Sequence, residues 1–391
     1  MKNYKYLIIG GGLAGDAGTR GIRELDTEGS IGVISMEPDP PYMRPNLSKG
    51  LWKGRPVEKI WRKTDERAEL HLGRHATQLD PDKKVVHDDR GEEFTYEKLL
   101  IATGGTPNHL PFGEGNIIYY RDFQDYKHLR ELTEQGDHFV VIGGSFIGSE
   151  LAAALTIVGK KVTMIFPKGA ISEGIFPGDL ARFLNDYYRE KGVEVLTGDT
   201  AASVQKEGNR ILVRTGSGRA IETDGVVAGI GIHPNLDLAQ EAGLKIDNGI
   251  VVNERLETSV PDIYAAGDAA NFFHALLGKR TRIEHEDNAV QMGKTAGRNM
   301  AGAKEAYNHA PMFYSDLFDL GYEAVGDMSS KMETIADWQE QPFKKGVVYY
   351  MDDGRVRGVL LWNVWEKVND ARALMNEAGP FKAEDLKGRI S

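Results

Sequence analysis

The chain has 391 residues and no cysteine. That absence removes disulfides, thiolate nucleophiles, Cys-ligated zinc and protein-held iron–sulfur clusters, so any redox chemistry must belong to a bound organic cofactor. No apolar run reaches the length of about 18 residues that a membrane-spanning helix needs. Positive charge is outnumbered too: 48 Lys and Arg stand against 58 Asp and Glu, a formal net charge of −10, and residues 309–391 carry more acid than base. No basic tail is present to follow a nucleic-acid backbone. The opening MKNYKYLIIGGG reads as a buried strand and not as a signal peptide, so a cytoplasmic protein is expected. The histidines suggest no metal site and no hydrolytic triad.

Glycine, by contrast, is plentiful, with 46 residues gathered in short runs behind apolar segments. At roughly 150 residues per domain the length allows two or three domains. Residues 6–9 form an apolar run that breaks into Gly10, Gly11, Gly12, Leu13, Ala14 and Gly15, a strand, tight turn and helix start. In such a turn Gly10 permits the bend, Gly12 lets backbone approach a pyrophosphate, and Gly15 lets the helix lie close on the sheet. The helix N-terminus then faces the phosphate charge. Residues 31–36 read as the next strand, and Glu37, 22 positions after Gly15, is placed to accept from ribose hydroxyls.

A second copy follows residues 139–142 as Gly143, Gly144, Ser145, Phe146, Ile147 and Gly148, with a helix expected to start near Glu150. Ser145 in the middle-glycine position reshapes the pyrophosphate contact. The strand 161–166 runs into Pro167 and Lys168, where an acid would favour NAD. Lys168 is either a ligand for a 2′-phosphate or an ordinary solvated lysine, and NADH against NADPH stays open. Residues 77–79, 84–87 and 92–94 read as an antiparallel meander leading into a buried strand at 99–105, where Ala102, Thr103 and Gly104 permit close backbone approach. A second meander spans 200–221, and the chain returns through 226–231 to Gly267 and Asp268. That order is the one produced by inserting one dinucleotide fold in another. Strands at 347–350, 355–358 and 359–363 around an Asp352-Asp353-Gly354 turn, then a helix at 366–376, form the tail.

Pro41-Tyr42-Met43-Arg44-Pro45, Tyr96-Glu97-Lys98, Ala102-Thr103-Gly104-Gly105, Gly267-Asp268-Ala269, Glu284-His285, Met312-Phe313-Tyr314-Ser315-Asp316 and Val359-Leu360-Leu361-Trp362-Asn363 together resemble a known family. It is that of the FAD-dependent pyridine nucleotide oxidoreductases, in the branch of ferredoxin reductases and apoptosis-inducing factors. The resemblance implies an α/β fold of two Rossmann-like, glutathione-reductase-type domains, one inserted in the other, plus a small C-terminal α+β domain. The expected boundaries are 1–115 and 243–308 for FAD, 116–242 for NAD(P)H and 309–391 for the cap. FAD and NADH or NADPH are the implied cofactors.

By the same resemblance, Gly267 and Asp268 lie beside the flavin ribityl and pyrophosphate, with a helix N-cap as the alternative for Asp268. Lys49 pairs with Glu150 at the catalytic centre, where a lysine steadies negative charge on the reduced ring and the glutamate neutralises it until then. Two unrelated surface charges are the alternative. Asn46 replaces a proline usual in this motif. Phe146 matches an aromatic gate over the flavin and Tyr314 an aromatic near the nicotinamide, with core packing the alternative for both. Glu284 and His285 match residues beside the nicotinamide. Arg44, Pro45, Arg121 and Ala289 complete the FAD side, and Gly231 the NAD(P)H side. The segment 327–345 is short where apoptosis-inducing factors carry a long regulatory insertion, so a death-related role is not carried over.

The function expected is hydride transfer from NAD(P)H to FAD, with electrons passed to an acceptor such as a ferredoxin-type iron–sulfur protein. Seven basic residues against one acid in 44–63 suit steering of an acidic partner. The alternative is a redox-sensing binding protein that holds a long-lived charge-transfer complex and dimerises, and an NAD(P)H:quinone reductase ranks third. Dithiol chemistry of the glutathione-reductase type is excluded without cysteine.

Overall fold

Alternating stretches of chain build two compact units, and the computed structural model describes residues 1–340 and 343–391. The first unit consists of Met1–Arg44, Pro56–Thr106 and His233–Met312. Its parallel sheet runs Glu69–Leu72, Ile31–Ser35, Lys2–Ile9, Glu93–Ile101, with Ile263–Ala265 also paired to Glu93–Ile101. Every residue of Ile31–Ser35 is buried, as expected for a strand covered on both faces. The expected third meander strand and the expected buried strand are one element. Its first half pairs antiparallel with Val85–Asp88, which in turn pairs with Ala76–Asp80, and its second half pairs parallel with Ile263–Ala265. Side-chain alternation gives way to a fully buried Leu99, Leu100 and Ile101 because the partner changes while the chain stays extended.

The helices Leu13–Arg23 and Glu286–Met300 touch through glycine. A Cβ at Gly293 would lie 2.2 Å from the Ala14 carbonyl oxygen, and one at Gly297 would lie 2.1 Å from that of Gly18. Only residues without a Cβ allow backbones this close.

The second unit consists of Pro45–Arg55, Pro107–Ile232 and Phe313–Ser391. Its parallel sheet is ordered Val193–Thr197, Lys161–Phe166, His138–Ile142, Gly225–Ala228, Ile118–Tyr119, beside an antiparallel meander of Ala201–Glu207, Arg210–Thr215 and Ala220–Thr223. The helix after the glycine turn is Phe146–Ile157, so it starts four residues ahead of the expected position and carries Glu150 in its second turn. The helix forms as soon as the turn is complete, with extended Ser145 as its N-cap residue.

The C-terminal sheet has five strands, ordered Met312–Leu317, Leu320–Gly326, Arg355–Trp362, Gly346–Asp352, Glu333–Trp338. Two of the expected strands are the single element Arg355–Trp362, and the closing helix is Val368–Asn376. Positive φ at Asp353 and Gly354 makes the tight turn between paired strands. Glu333–Trp338 falls in the segment expected to be a short connection; Gln341 and Pro342 of that segment lie outside the described residues. Among the described residues no helix is long and apolar enough to cross a membrane.

Candidate functional site

The two glycine turns share their backbone geometry at the first and last glycine. Gly10 and Gly143 have φ of +119° and +120°, and a Cβ would lie 2.0 Å from the Ala102 oxygen at one and 2.2 Å from the Gly229 oxygen at the other. A Cβ at Gly15 would strike the Gly10 oxygen, and one at Gly148 the Gly143 oxygen. The middle positions differ. A Cβ at Gly12 would meet nothing within 4 Å, whereas Ser145 puts an exposed side chain there. Both helices start without a side-chain cap, so their first N–H groups stay available to a ligand. Ile147, two residues after Ser145, is exposed, with its Cβ 3.1 Å from where a Cβ of Gly229 would lie.

In the first unit, Glu37 sits just past Ile31–Ser35, where Tyr42 donates to its Oε2 at 2.6 Å and Arg44 bonds its Oε1. Arg44 also donates to the Tyr42 hydroxyl, 2.9 Å away. Burial works against the charge on Arg44, but Tyr42, Glu37 and Asp268 outweigh it and raise its pKa. Thr103 and Asn235 clasp each other: the Thr103 hydroxyl donates to the Asn235 carbonyl at 2.8 Å, and the Asn235 amide to the Thr103 carbonyl at 2.9 Å. Gly104 accepts from the Asn235 backbone N–H.

Gly267 has φ +74°, and its Cβ would lie 3.0 Å from Ala14 and 3.8 Å from Ala289, so turn and both helices meet there. Asp268 lies inside the short turn Gly267–Ala269 and is not an N-cap residue. Its carbonyl accepts from Arg282, whose Nε is buried with no hydrogen-bond partner. Exposed Glu284 pairs with Arg282 at 2.5 Å. His285, half-buried, precedes the helix Glu286–Met300. Loss of solvent pulls its pKa down to about 4 against the opposing effect of Asp268 and Asp287.

Sequence reasoning missed Asp16, fully buried in the helix Leu13–Arg23. It accepts from Thr64 at 2.7 Å, Arg62 at 2.9 Å and Arg67 at 2.8 Å. A charged residue amid glycine and alanine right after the turn was the available signal.

In the second unit, Lys49 and Glu150 form an ion pair of 2.7 Å, with side chains 12% and 3% exposed. The alternative of two separate surface charges is therefore ruled out. The Ser48 hydroxyl donates to Glu150 Oε2 at 2.5 Å and that of Ser315 to Oε1 at 2.6 Å. The Lys49 ammonium also stands 5.2 Å over the Tyr314 ring. The loop that carries Lys49 is anchored at the Leu47 carbonyl, which accepts from Trp52 at 2.7 Å and Tyr120 at 2.6 Å. Pro45 opens this loop and is half-buried. Phe146 meets Phe313 edge-on at 5.5 Å. Arg121 is half-buried, and its backbone N–H donates to the Asp125 carboxylate at 2.8 Å. Lys168 is exposed, and Gly231, with φ +91°, accepts from the Asn108 backbone at 2.9 Å. Both lie apart from the Lys49 cluster in the bonds they make.

The open space at Gly12, the uncapped helix start and the orphaned Arg282 Nε fit a dinucleotide in the first unit. FAD held there would supply a ring able to take up a hydride and to release electrons. In the first unit the uncapped start of Leu13–Arg23 is what would hold the phosphates, and in the second unit the Lys49 ammonium is largely shut off from water.

A family profile for pyridine nucleotide-disulphide oxidoreductases matches residues 4–293. The chain belongs to that family. A profile for the C-terminal region of mitochondrion-associated apoptosis-inducing factor matches 296–342 and 336–377. Apoptosis-inducing factor 1, mitochondrial, of Dictyostelium discoideum is 34% identical, covering 96% of this chain and 79% of its own. Monodehydroascorbate reductase 3 of Arabidopsis thaliana is 32% identical over 97% of this chain and 94% of its own. The covalent putidaredoxin reductase–putidaredoxin complex contains a chain of TM-score 0.91 and 29% identity, covering 98% of this chain and 95% of that one. This family member is an FAD-dependent NAD(P)H oxidoreductase with the Rossmann-like α/β fold and a C-terminal sheet. The disulphide in the family's name has no counterpart in a chain without cysteine.

Proposed function

We propose that the protein takes hydride from NADH or NADPH onto FAD and passes electrons to a small iron–sulfur protein. The observation that carries this reading is the likeness, along nearly the whole chain, to a chain of the covalent putidaredoxin reductase–putidaredoxin complex. In this reading residues 1–115 and 243–308 hold FAD, 116–242 hold the nicotinamide nucleotide and 309–391 form a cap. Gly10, Gly12, Gly15, Glu37, Arg44, Thr103, Asp268 and His285 serve the flavin nucleotide; Gly143, Ser145, Phe146, Gly148, Lys168 and Gly231 serve the nicotinamide nucleotide; the Lys49–Glu150 pair serves the chemistry. A cytoplasmic location belongs to the same reading.

A second reading, a redox sensor that holds reduced cofactor and oxidised nicotinamide together and dimerises, is favoured by the C-terminal match to apoptosis-inducing factor. Anaerobic titration with NADH and, separately, NADPH separates the two. Fast bleaching and a short-lived long-wavelength band, followed by reduction of an added ferredoxin, support the reductase. Slow bleaching, a band that survives air and a nucleotide-dependent elution volume support the sensor. Protein purified without flavin, and unable to take it up, rejects both.

A further inference from the structure

Glu150 is held from three directions, and only one of its partners is charged. Ser48 donates to Oε2, Ser315 donates to Oε1, and the Lys49 ammonium lies against Oε1. Ser48 and Ser315 are themselves buried, 5% and 1% exposed, so neither hydroxyl is a surface group that happens to be near. A carboxylate has about four lone-pair sites, and a buried one needs several donors. With Lys49 alone, Oε2 would stay empty and the full demand of the carboxylate would fall on the ammonium.

The two hydroxyls come from different elements. Ser48 precedes Lys49 in the loop Pro45–Arg55, so one short segment delivers both a neutral and a charged donor. Ser315 belongs to the strand Met312–Leu317, next to Tyr314, whose ring faces the same ammonium. Strand and loop are tied a second time by Lys53 and Asp316 at 3.2 Å. The C-terminal sheet thus supplies a donor to Glu150 and a ring to Lys49.

We propose that Ser48 and Ser315 are positioning residues: they fix the Glu150 carboxylate and share its charge, leaving Lys49 balanced between the carboxylate and negative charge on a bound ring. The inference rests on the proposed role of Lys49 beside FAD. Without the hydroxyls, Lys49 is the sole donor to Glu150 and is drawn to it. The ammonium then stabilises the reduced ring less, so the flavin potential falls and reduction slows. Losing both donors should slow reduction about tenfold, which corresponds to about 1.4 kcal/mol.

The test compares Ser48→Ala, Ser315→Ala, the double variant and Ser315→Thr in the flavin-bound protein. Flavin content comes first, then midpoint potential against a reference dye and the anaerobic reduction rate with NADH and NADPH. The expected result is retained flavin, a lower potential and about tenfold slower reduction in the double variant, with the threonine variant restored to parent values. Alanine variants that keep flavin and match the parent in potential and in rate within about twofold would overturn the proposal. If Ser315→Ala does not fold, Ser48→Ala and Ser315→Thr decide by the same criteria. A parent that binds no flavin or resists both nucleotides overturns the enzyme reading instead, before any variant is compared.

Discussion

At the scale of the residue, the ion pair sets the sharpest expectations. Replacing Lys49 by methionine leaves Glu150 buried with two hydroxyl donors and no counter-charge. Stranding a buried charge costs about 3–5 kcal/mol, whereas removing both partners of such a pair is far milder. Lys49→Met should therefore lower stability in urea by roughly that amount, and Lys49→Met with Glu150→Leu should regain most of it while flavin reduction stays slow. A single variant with parent stability and parent reduction rate rejects the role of the pair. His285 sets a pH limit. Its folded pKa of about 4 lies below the ordinary value of 6.5, so between these values the unfolded chain binds a proton that the folded chain refuses. The contribution of His285 is complete above pH 6.5 and is lost as pH falls toward 4. Denaturant midpoints measured from pH 7.5 to 4.5 should drop, and His285→Gln should flatten that limb. A variant whose limb stays as steep assigns the acid sensitivity to other groups.

At the scale of the element, glycine has two jobs that look alike in a sequence. Gly10-Gly11-Gly12 and Gly143-Gly144-Ser145 stand out because each closes an apolar run, and the strands and helices around them were legible for that reason. Gly293 and Gly297 sit inside a helix with no such flank, so their contact with the backbone of Leu13–Arg23 was not. Space separates the two jobs experimentally. Gly12→Ala adds a methyl where nothing lies within 4 Å and should leave the flavin-free fold intact while weakening flavin retention. Gly297→Ala adds one 2.1 Å from the Gly18 oxygen and should cost about 1–3 kcal/mol through overpacking. Urea melts and flavin content of the two variants check this, and a stable Gly297→Ala protein would mean the helices can part freely. Strand boundaries were less legible, because Glu93–Ile101 changes its partner and its burial pattern midway without a turn to mark the change.

At the scale of the whole molecule, nucleotide folds and their order were readable, since each rests on local pattern, whereas charge was less so, since the pairings of Lys49, Lys53 and Arg62 reach far along the chain. The basic stretch 44–63 shows why. Arg44 bonds Glu37, Lys49 bonds Glu150, Lys53 bonds Asp316, Arg62 bonds Asp16 and Lys63 bonds Glu66. Only Arg55 and Lys59 of the seven lack a carboxylate partner among the described residues. A counted excess of positive charge is thus mostly matched by carboxylates, in partly buried pairs at Arg44, Lys49 and Arg62 and in exposed ones at Lys53 and Lys63, on a chain whose net charge is −10. Steering raises association rates by roughly 10 to 10³ and collapses as salt screens it, so the pairing with carboxylates predicts weak steering here. With an acidic iron–sulfur acceptor, kcat/KM should change by less than about threefold over a tenfold range of ionic strength. Arg55→Glu with Lys59→Glu should lower it by no more than a similar factor. A loss of tenfold or more in either measurement would mean that these two cations dominate the encounter. A flat response would place docking on contacts that exclude water, where single apolar substitutions should change the acceptor KM while leaving flavin reduction untouched.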